Sequence, residues 1–250
     1  MDRTVVTRAG EFLLDAVFPP VCMLCETLLR PGRGGDVCAA CRESLEAVRP
    51  PYCSRCGRPF EEGEPARLCG NCAVSEPDFD MLRAPYVYAD PLRTALIRFK
   101  FRRVSRNTRP LAALLGAVAG LGVDWRDYDV AVPVPLHAAR LRKRGFNQAQ
   151  ILARHLLQGT RLRLDAALLD RVRETVPQVG LSHAARRENV RGAFAVREGA
   201  DIQGKKILLV DDIATTGATC SEAARVLKKA GAARVDAVTV ARSLGFGAKL

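Results

Sequence analysis

The chain has 250 residues, of which 48% are hydrophobic, so it can form one large domain or a medium domain with a smaller module. No apolar run reaches the roughly 20 residues that cross a bilayer, and no cleavable leader pattern is visible, which favours a cytoplasmic protein without a membrane span. The 39 basic and 27 acidic residues give a net charge of +12, which favours polyanionic or phosphorylated ligands over acidic partners and membranes.

Composition along the chain indicates three parts. Residues 11–18 (EFLLDAVF) have an amphipathic pattern stopped by two prolines, so residues 1–20 are expected to contain an N-terminal amphipathic helix. Residues 21–75 contain eight of the nine cysteines. The polar stretch AVSEPDFDMLRAP then marks a boundary, after which residues 76–250 are expected to form a larger domain.

The cysteines form four CxxC pairs in two repeats of CxxC-x12-CxxC, the second shifted by 31 residues from the first. Two CxxC knuckles complete the tetrahedral sulfur shell that Zn2+ favours, so we expect two structural zinc ions. The alternatives are knuckles from different repeats that share a metal, and a disulfide framework, which a reducing compartment disfavours. The predicted ligands are Cys22, Cys25, Cys38 and Cys41 in the first repeat and Cys53, Cys56, Cys69 and Cys72 in the second.

Beyond residue 86, helix-type and strand-type patterns alternate. Helical spacing covers residues 92–101, 111–121, 147–157 and 221–230, and strand-like runs cover residues 129–135, 206–210 and 235–241. Strand, helix and strand with short connections imply right-handed crossovers in a parallel sheet. The predicted fold class is therefore α/β, with ligands at the carboxyl ends of the strands.

The stretch ILLVDDIATTGAT (207–219) leads an apolar strand into two adjacent aspartates. There, Asp211 and Asp212 suit hydrogen bonds from vicinal hydroxyls, or a hydrated Mg2+ ion. The small residues after them leave backbone N–H groups open to an anion at a helix N-terminus, whereas simple helix capping needs only one side-chain oxygen. We predict a ribose 5-phosphate site that includes Ala214, Thr215, Thr216, Gly217, Ala218 and Thr219. Cys220 behind this loop is expected to be a buried filler.

These 13 residues resemble the signature of type I phosphoribosyltransferases, whose shared ligand is 5-phosphoribosyl 1-pyrophosphate (PRPP). The stretches VPVPLHAARLRKRGFNQAQILAR (132–154) and RETVPQVGLSHAARRENVRGAF (173–194), together with the cysteine repeats, look like the competence protein F (ComF) family of natural transformation. The resemblance covers the chain from Phe12 to Ala241. It implies a double zinc ribbon followed by a type I phosphoribosyltransferase-like domain with a Rossmann-like parallel sheet.

The resemblance also implies roles for residues. Asp211 and Asp212 would face the ribose hydroxyls, residues 214–219 would hold the 5-phosphate, and the turn at Pro135 would approach the pyrophosphate, which carries Mg2+. Arg140 and Arg144, four apart on one helical face, can converge on the pyrophosphate oxygens. Residues 173–194 resemble the hood that covers PRPP, and the matching residues are Arg173, Thr175, Gln178, Arg187 and Asn189.

Single-stranded DNA is the second implied partner, alongside other DNA-uptake or recombination proteins. The candidate contacts are Lys100, Arg102, Arg103, Arg142 and Lys143, with Phe99, Phe101 and Phe146 as nearby aromatic residues. The favoured hypothesis is a PRPP-binding protein of natural competence that acts with imported single-stranded DNA. The alternatives are an active phosphoribosyltransferase with an unidentified small acceptor, and a scaffold whose zinc module docks a partner while its PRPP site is vestigial. No residue stands out as a catalytic base.

Overall fold

The structure, a computed structural model, describes residues 20–29, 37–61, 63–101, 108–176 and 182–244. The helix expected at residues 11–18 lies outside these ranges. The helices are α1 (Ala39–Glu43), α2 (Gly70–Val74), α3 (Leu92–Phe101), α4 (Thr108–Gly116), α5 (Ala138–Arg144), α6 (Gln148–Leu156), α7 (His183–Val190) and α8 (Ala218–Lys229), with 3-10 turns at Ala117–Leu121 and Trp125–Asp127. The strands are β1 (Met81–Arg83), β2 (Tyr86–Val87), β3 (Val130–Pro133), β4 (Arg163–Leu164), β5 (Leu169–Arg171), β6 (Phe194–Val196), β7 (Lys206–Ala214) and β8 (Arg234–Arg242).

A parallel sheet in the order β1-β8-β7-β3-β4 forms the centre of the larger domain, and β2 also pairs with β8. All of these pairings are parallel, whereas β5 and β6 form a separate antiparallel pair. The predicted α/β class is therefore confirmed. Strand β7 lies between β8 and β3, and its first apolar residues are fully buried, as the continuous run ILLV predicts for a strand covered on both faces.

The side chains of β7 alternate between two core layers. Leu208 and Val210 belong to the layer built by α3, α4 and α6, whereas Ile207 and Leu209 belong to the layer that includes α8. The first cysteine repeat joins the first of these layers and the second repeat joins the other. The two repeats thus extend the core on opposite faces of the sheet.

The predicted carboxyl end of β7 is wrong by four residues. The sequence predicts a strand that ends at Val210, but β7 continues to Ala214. The cause is not local, because Ile213 and Ala214 pair with Ala241 and Arg242 of β8 and hold the chain extended beyond the aspartates. The aspartates consequently lie on a backbone fixed by the sheet.

The helix after β7 also starts earlier than predicted, at Ala218 instead of Ser221. Gly217 makes the turn with φ of 80°, a conformation that glycine adopts without strain. Thr216 Oγ1 accepts a hydrogen bond from the Ala218 N–H at 3.2 Å and so starts the helix. The remaining predicted elements are confirmed to within a few residues, except that residues 117–121 form a 3-10 turn instead of continuing the helix.

The cysteine repeats are attached to the edge of the sheet by backbone hydrogen bonds. After the first repeat, Glu46 C=O accepts from Val87 N–H of β2 at 2.8 Å. Within the second repeat, Arg55 C=O accepts from Leu82 N–H of β1 at 2.8 Å. The second repeat therefore lies directly on β1, and its conformation and that of the sheet support each other.

We predict that Gly57→Ala destabilises the protein by roughly 1–3 kcal/mol. Gly57 has φ of 64°, and a Cβ atom there would lie 2.6 Å from the Leu82 carbonyl oxygen. Gly70→Ala is the matched control, because a Cβ there meets nothing within 4 Å. Urea unfolding measures both variants, and equal midpoints for Gly57→Ala and Gly70→Ala would contradict the close approach of the second repeat to β1.

Candidate functional site

The eight CxxC cysteines form two clusters, one in each repeat, and within each cluster the four Sγ atoms lie within 4.8 Å of one another. The Sγ atoms of Cys25 and Cys38 are 3.8 Å apart, and those of Cys56 and Cys69 are 3.7 Å apart. A tetrahedron with Zn–S bonds of about 2.3 Å has edges of about 3.8 Å. The ligands are therefore paired within each repeat, as expected, and their geometry suits zinc.

Backbone N–H groups point at the sulfur atoms in both clusters. Cys38 N–H donates to Cys22 Sγ at 3.4 Å, and the equivalent Cys69 N–H donates to Cys53 Sγ at 3.3 Å. Such donors favour the thiolate form, which is the form that binds metal. Four sulfur ligands leave no open coordination position, so each zinc ion would be structural.

The aspartate pair lies near the carboxyl end of β7, and one of its members forms an ion pair with a lysine. Lys100 Nζ of α3 lies 3.0 Å from Asp212 Oδ2, and Asp211 Oδ1 accepts from the Asp212 N–H at 2.8 Å. Burial, reinforced by the charge of Asp212, raises the pKa of Asp211 to about 7. Burial by itself would lower the pKa of Lys100, but the Asp212 carboxylate outweighs it and the net shift is upward. Lys100, a candidate for DNA contact, thus lies at the aspartate pair.

Asp211→Asn is expected to stabilise the protein above pH 7. The pKa of Asp211 rises from its usual 3.8 to about 7, so the folded state binds more protons than the unfolded state between these values, and the unfolding free energy falls as pH rises through them. At pH 8 the substitution should raise the unfolding free energy by roughly 1–3 kcal/mol. This is less than the whole pKa shift would give, because solvent still reaches the side chain. Urea unfolding at pH 5 and pH 8 measures the slope.

Asp212→Asn is the control for this prediction and should destabilise the protein, because it removes the carboxylate that pairs with the half-buried Lys100. An identical loss of stability between pH 5 and pH 8 in the wild type and in Asp211→Asn would show that Asp211 does not carry the pH dependence.

Two arginines, Arg144 and Arg171, lie near enough to the aspartates for the charges to interact. Arg140 Nη2 of α5 donates to the Thr175 carbonyl oxygen at 2.7 Å, and Arg171 Nη2 at the end of β5 donates to Thr175 Oγ1 at 2.6 Å. Burial lowers the pKa of Arg144, and the charge of Asp212 opposes this shift. Burial likewise lowers the pKa of Arg171, where the charge of Asp211 opposes it. Arginine nevertheless stays charged, so these groups form a partly buried cationic rim that suits an anion.

Sequence reasoning missed Arg171. It is the last residue of β5 and its guanidinium lies over the Phe194 ring at 5.3 Å. The available signal was its position at a strand end, two residues before the stretch that resembles the hood. Because β5 and β6 are short and antiparallel, their pairing is not apparent from the pattern of either strand.

The predicted phosphate loop, residues 214–219, joins β7 to the N-terminus of α8. A Cβ at Gly217 would lie 3.2 Å from the Phe79 ring, so both space and backbone conformation favour glycine. Ser221 Oγ in the first turns of α8 donates to Asp78 Oδ2 at 2.8 Å. Cys220 is buried and burial raises the pKa of its thiol, which agrees with a filler and not with a reactive nucleophile.

The stretch that resembles the hood is held together by the residues that match it. Arg173 Nη2 donates to the Asn189 carbonyl oxygen at 3.0 Å, and the Asn189 side chain exchanges two hydrogen bonds with the Val176 backbone. Arg187 Nη1 donates to Ser75 O and Oγ, directly after the second cysteine repeat. Gln178 lies outside the described residues.

Comparison with known proteins identifies the family. The double zinc ribbon domain matches residues 13–73 and the phosphoribosyl transferase domain matches residues 141–245. Competence protein F of Haemophilus influenzae is 32% identical over 177 residues, which cover 69% of this chain and 77% of that protein. DNA utilization protein YhgH of Escherichia coli K12 is 31% identical over 233 residues, which cover 90% of this chain and 98% of that protein. The chain belongs to the ComF family.

Two further similarities are weaker. Competence protein ComFC of Bacillus subtilis is 30% identical over 168 residues, which cover 64% of each chain. The allosteric regulatory enzyme of purine biosynthesis aligns with 57% of this chain and 30% of its own at 22% identity, with a TM-score of 0.36, too remote to inform function. No helix among the described residues of this ComF-family chain is long and apolar enough to cross a membrane.

The candidate DNA-binding residues are distributed over several environments in this ComF-family chain. Arg142 and Lys143 are exposed on α5, whereas Arg102 and Arg103 lie outside the described residues. Phe99 is only 6% exposed and packs in the core 6.0 Å from the Phe146 ring, so it is wrong as an aromatic candidate for a DNA-binding surface. Pro135 lies half-buried in the turn between β3 and α5, and its approach to the pyrophosphate stays a prediction.

Proposed function

We propose that this ComF-family chain binds PRPP at the carboxyl end of β7 and acts with imported single-stranded DNA. The observation that carries the proposal is the adjacency of Asp211 and Asp212 to a rim of three arginines and to a glycine-containing loop that begins a twelve-residue helix. Adjacent carboxylates suit vicinal hydroxyls, and the loop and arginines suit two separate phosphate groups. PRPP carries all three features in one molecule.

The proposal assigns a part of PRPP to each group. Asp211 and Asp212 accept hydrogen bonds from the ribose hydroxyls, and backbone N–H groups of residues 214–219 donate to the 5-phosphate. Arg140, Arg144 and Arg171 face the pyrophosphate. With two adjacent carboxylates, one already paired with Lys100, the site fits a Mg2+ ion that keeps most of its other ligands from water and phosphate oxygens. Mg2+ would neutralise charge on the pyrophosphate when bound.

Transfer of the phosphoribosyl group is a second candidate function. The observation that favours it is the raised pKa of Asp211, since a value of about 7 suits a general base that works near neutral pH. The assay is release of pyrophosphate from PRPP with and without candidate acceptors.

The DNA part of the proposal is supported by charge and by the names of relatives. The net charge is +12, the exposed pair Arg142 and Lys143 lies on α5, and relatives are named for competence and DNA utilization. Binding by phosphate contacts should weaken steeply as salt rises, with a log–log slope of about −0.7 for each neutralised phosphate of a single strand. An affinity that does not change between low and moderate salt would contradict it.

A melting-temperature screen tests the proposal as a whole, because a ligand that binds only the folded state raises the melting temperature. The ligands are PRPP with Mg2+, ribose 5-phosphate, pyrophosphate and a short single strand. We expect PRPP to give the largest shift and ribose 5-phosphate and pyrophosphate to give smaller ones. No shift with PRPP at millimolar concentration would contradict the PRPP site and would favour the scaffold hypothesis.

A further inference from the structure

A cavity of about 120 Å³ lies between the second cysteine cluster and residues 215–218 of the phosphate loop. Cys56 and Cys72 form part of one wall and the start of α8 forms part of another. Residues 215–218, which are proposed to hold the 5-phosphate, line it, whereas the residues proposed to hold the ribose hydroxyls and the pyrophosphate do not. Its polar lining includes the side chains of Arg58, Asn71, Arg186 and Arg242.

Arg242, the last residue of β8, lines this cavity with a buried guanidinium group. It is only 5% exposed, and its Nη2 donates to Cys56 Sγ at 3.1 Å. Its Nε and Nη1 atoms are buried and have no hydrogen-bond partner in the described structure. The same is true of Nε of Arg186, which lines the cavity from α7. Buried guanidinium donors without acceptors are costly, and a ligand that supplies acceptors would offset this cost.

The charge of the cavity lining favours an anionic ligand. Among the described residues that line it, four are arginines and none is aspartate or glutamate. The twelve-residue helix α8 begins beside this cavity, and its positive N-terminal dipole adds to the charge of the arginines. The bond to Cys56 uses one nitrogen of Arg242 and leaves the other two for an oxyanion. Pro77 and Leu244 supply apolar surface for a carbon skeleton next to it.

We propose that this cavity binds a phosphate monoester, held by Arg242 and Arg186 and by Arg58 and Asn71 of the second cysteine repeat. The zinc ribbon then forms one wall of a second ligand site that adjoins the PRPP site. The inference rests on the proposed function only in that both sites share residues 215–218. The monoester comes from a free nucleotide or from the 5′ end of a DNA strand, and the two sources share the chemistry that the cavity recognises.

Binding of matched probes tests this site on the full-length, zinc-loaded chain. The probes are thymidine 5′-monophosphate with thymidine as its control, and a 5′-phosphorylated single-stranded hexanucleotide with its 5′-hydroxyl form, at about 150 mM salt to suppress long-range charge effects. We expect the phosphate to tighten binding by at least about tenfold in one or both pairs. An effect in the hexanucleotide alone identifies the DNA end, and an effect in both pairs identifies any nucleotide phosphate.

Arg58→Gln should reduce the gain in affinity that the phosphate gives by at least about tenfold, because it deletes one positive charge from the cavity wall. Arg161→Gln is the matched control: Arg161 is exposed and precedes β4, at the other edge of the sheet, so its loss should change affinity by no more than about twofold. Arg242→Gln provides a second variant, with zinc content measured to confirm folding. Equal effects of Arg58→Gln and Arg161→Gln would overturn the proposal, as would equal binding of phosphorylated and unphosphorylated probes.

PRPP binding in the same variants separates this inference from the proposed function. We expect Arg58→Gln to change PRPP affinity by less than about threefold. If Arg58→Gln weakens PRPP and the monoesters equally, the cavity is part of the PRPP site and the separate site is refuted. If PRPP does not bind but the monoesters still do, and depend on Arg58, the proposed function fails and this inference stands.

Discussion

Replacement of Cys56 by serine is expected to lower the unfolding free energy by at least about 3 kcal/mol and to weaken PRPP binding. Cys56 is 3% exposed in the second cluster, and its Sγ accepts from Arg242 Nη2. Loss of this thiolate removes a zinc ligand and leaves a third nitrogen of a buried guanidinium without a partner. Because Arg242 and Cys56 line the same cavity as residues 215–218, the disturbance reaches the phosphate loop.

Cys25→Ser is the matched control for this variant. Cys25 is an exposed ligand of the first cluster, which packs into the core layer of α3, α4 and α6 on the other face of the sheet. Each variant should lose one zinc ion per chain, measured by elemental analysis, but only Cys56→Ser should weaken PRPP binding. Two zinc ions retained in Cys56→Ser, or equal losses of PRPP affinity in both variants, would contradict the coupling of the second cluster to the loop.

Local spacing was sufficient to predict the cysteine clusters. The two cysteines of a CxxC knuckle, three positions apart, place their sulfur atoms together whatever the rest of the chain does, so ligand identity depends on few distant contacts. The parallel sheet was predictable for a similar reason, since apolar strands with intervening helices have few ways to pack. The aspartate pair and the loop after it are contiguous in sequence, and their position near the carboxyl end of β7 follows from the same topology.

Contacts between distant residues could not be predicted in this way. Lys100 pairs with Asp212 across the fold, and Arg242 meets Cys56 from a position 186 residues later. Neither partner carries a local pattern that identifies the other. The basic run that contains Lys100 therefore indicated a DNA-binding surface, although the structure pairs this lysine with the acidic site. The length of β7 was underestimated for the same reason, since its pairing with β8 extends it.

The double variant Asp211→Asn with Asp212→Asn is expected to lower PRPP affinity by at least about 100-fold. Each carboxylate that accepts a ribose hydroxyl makes a charge-assisted hydrogen bond, and an amide replaces it with a weaker neutral one. The variant also removes the carboxylate that pairs with Lys100, which then repels Mg2+ at the site. The melting temperature of the variant shows whether the protein stays folded at the temperature of the binding measurement.

Asp127→Asn is the matched control, because Asp127 is exposed and lies just before β3, at the end of the parallel sheet opposite the aspartate pair. Calorimetric titration of PRPP with Mg2+ into the wild type, the control and the double variant is the most direct measurement of the PRPP site. The predicted result is saturable binding to one site per chain in the wild type and in Asp127→Asn, and none detectable at the same concentrations in the double variant. Equal PRPP affinity in all three proteins would contradict the assignment of Asp211 and Asp212 to this site.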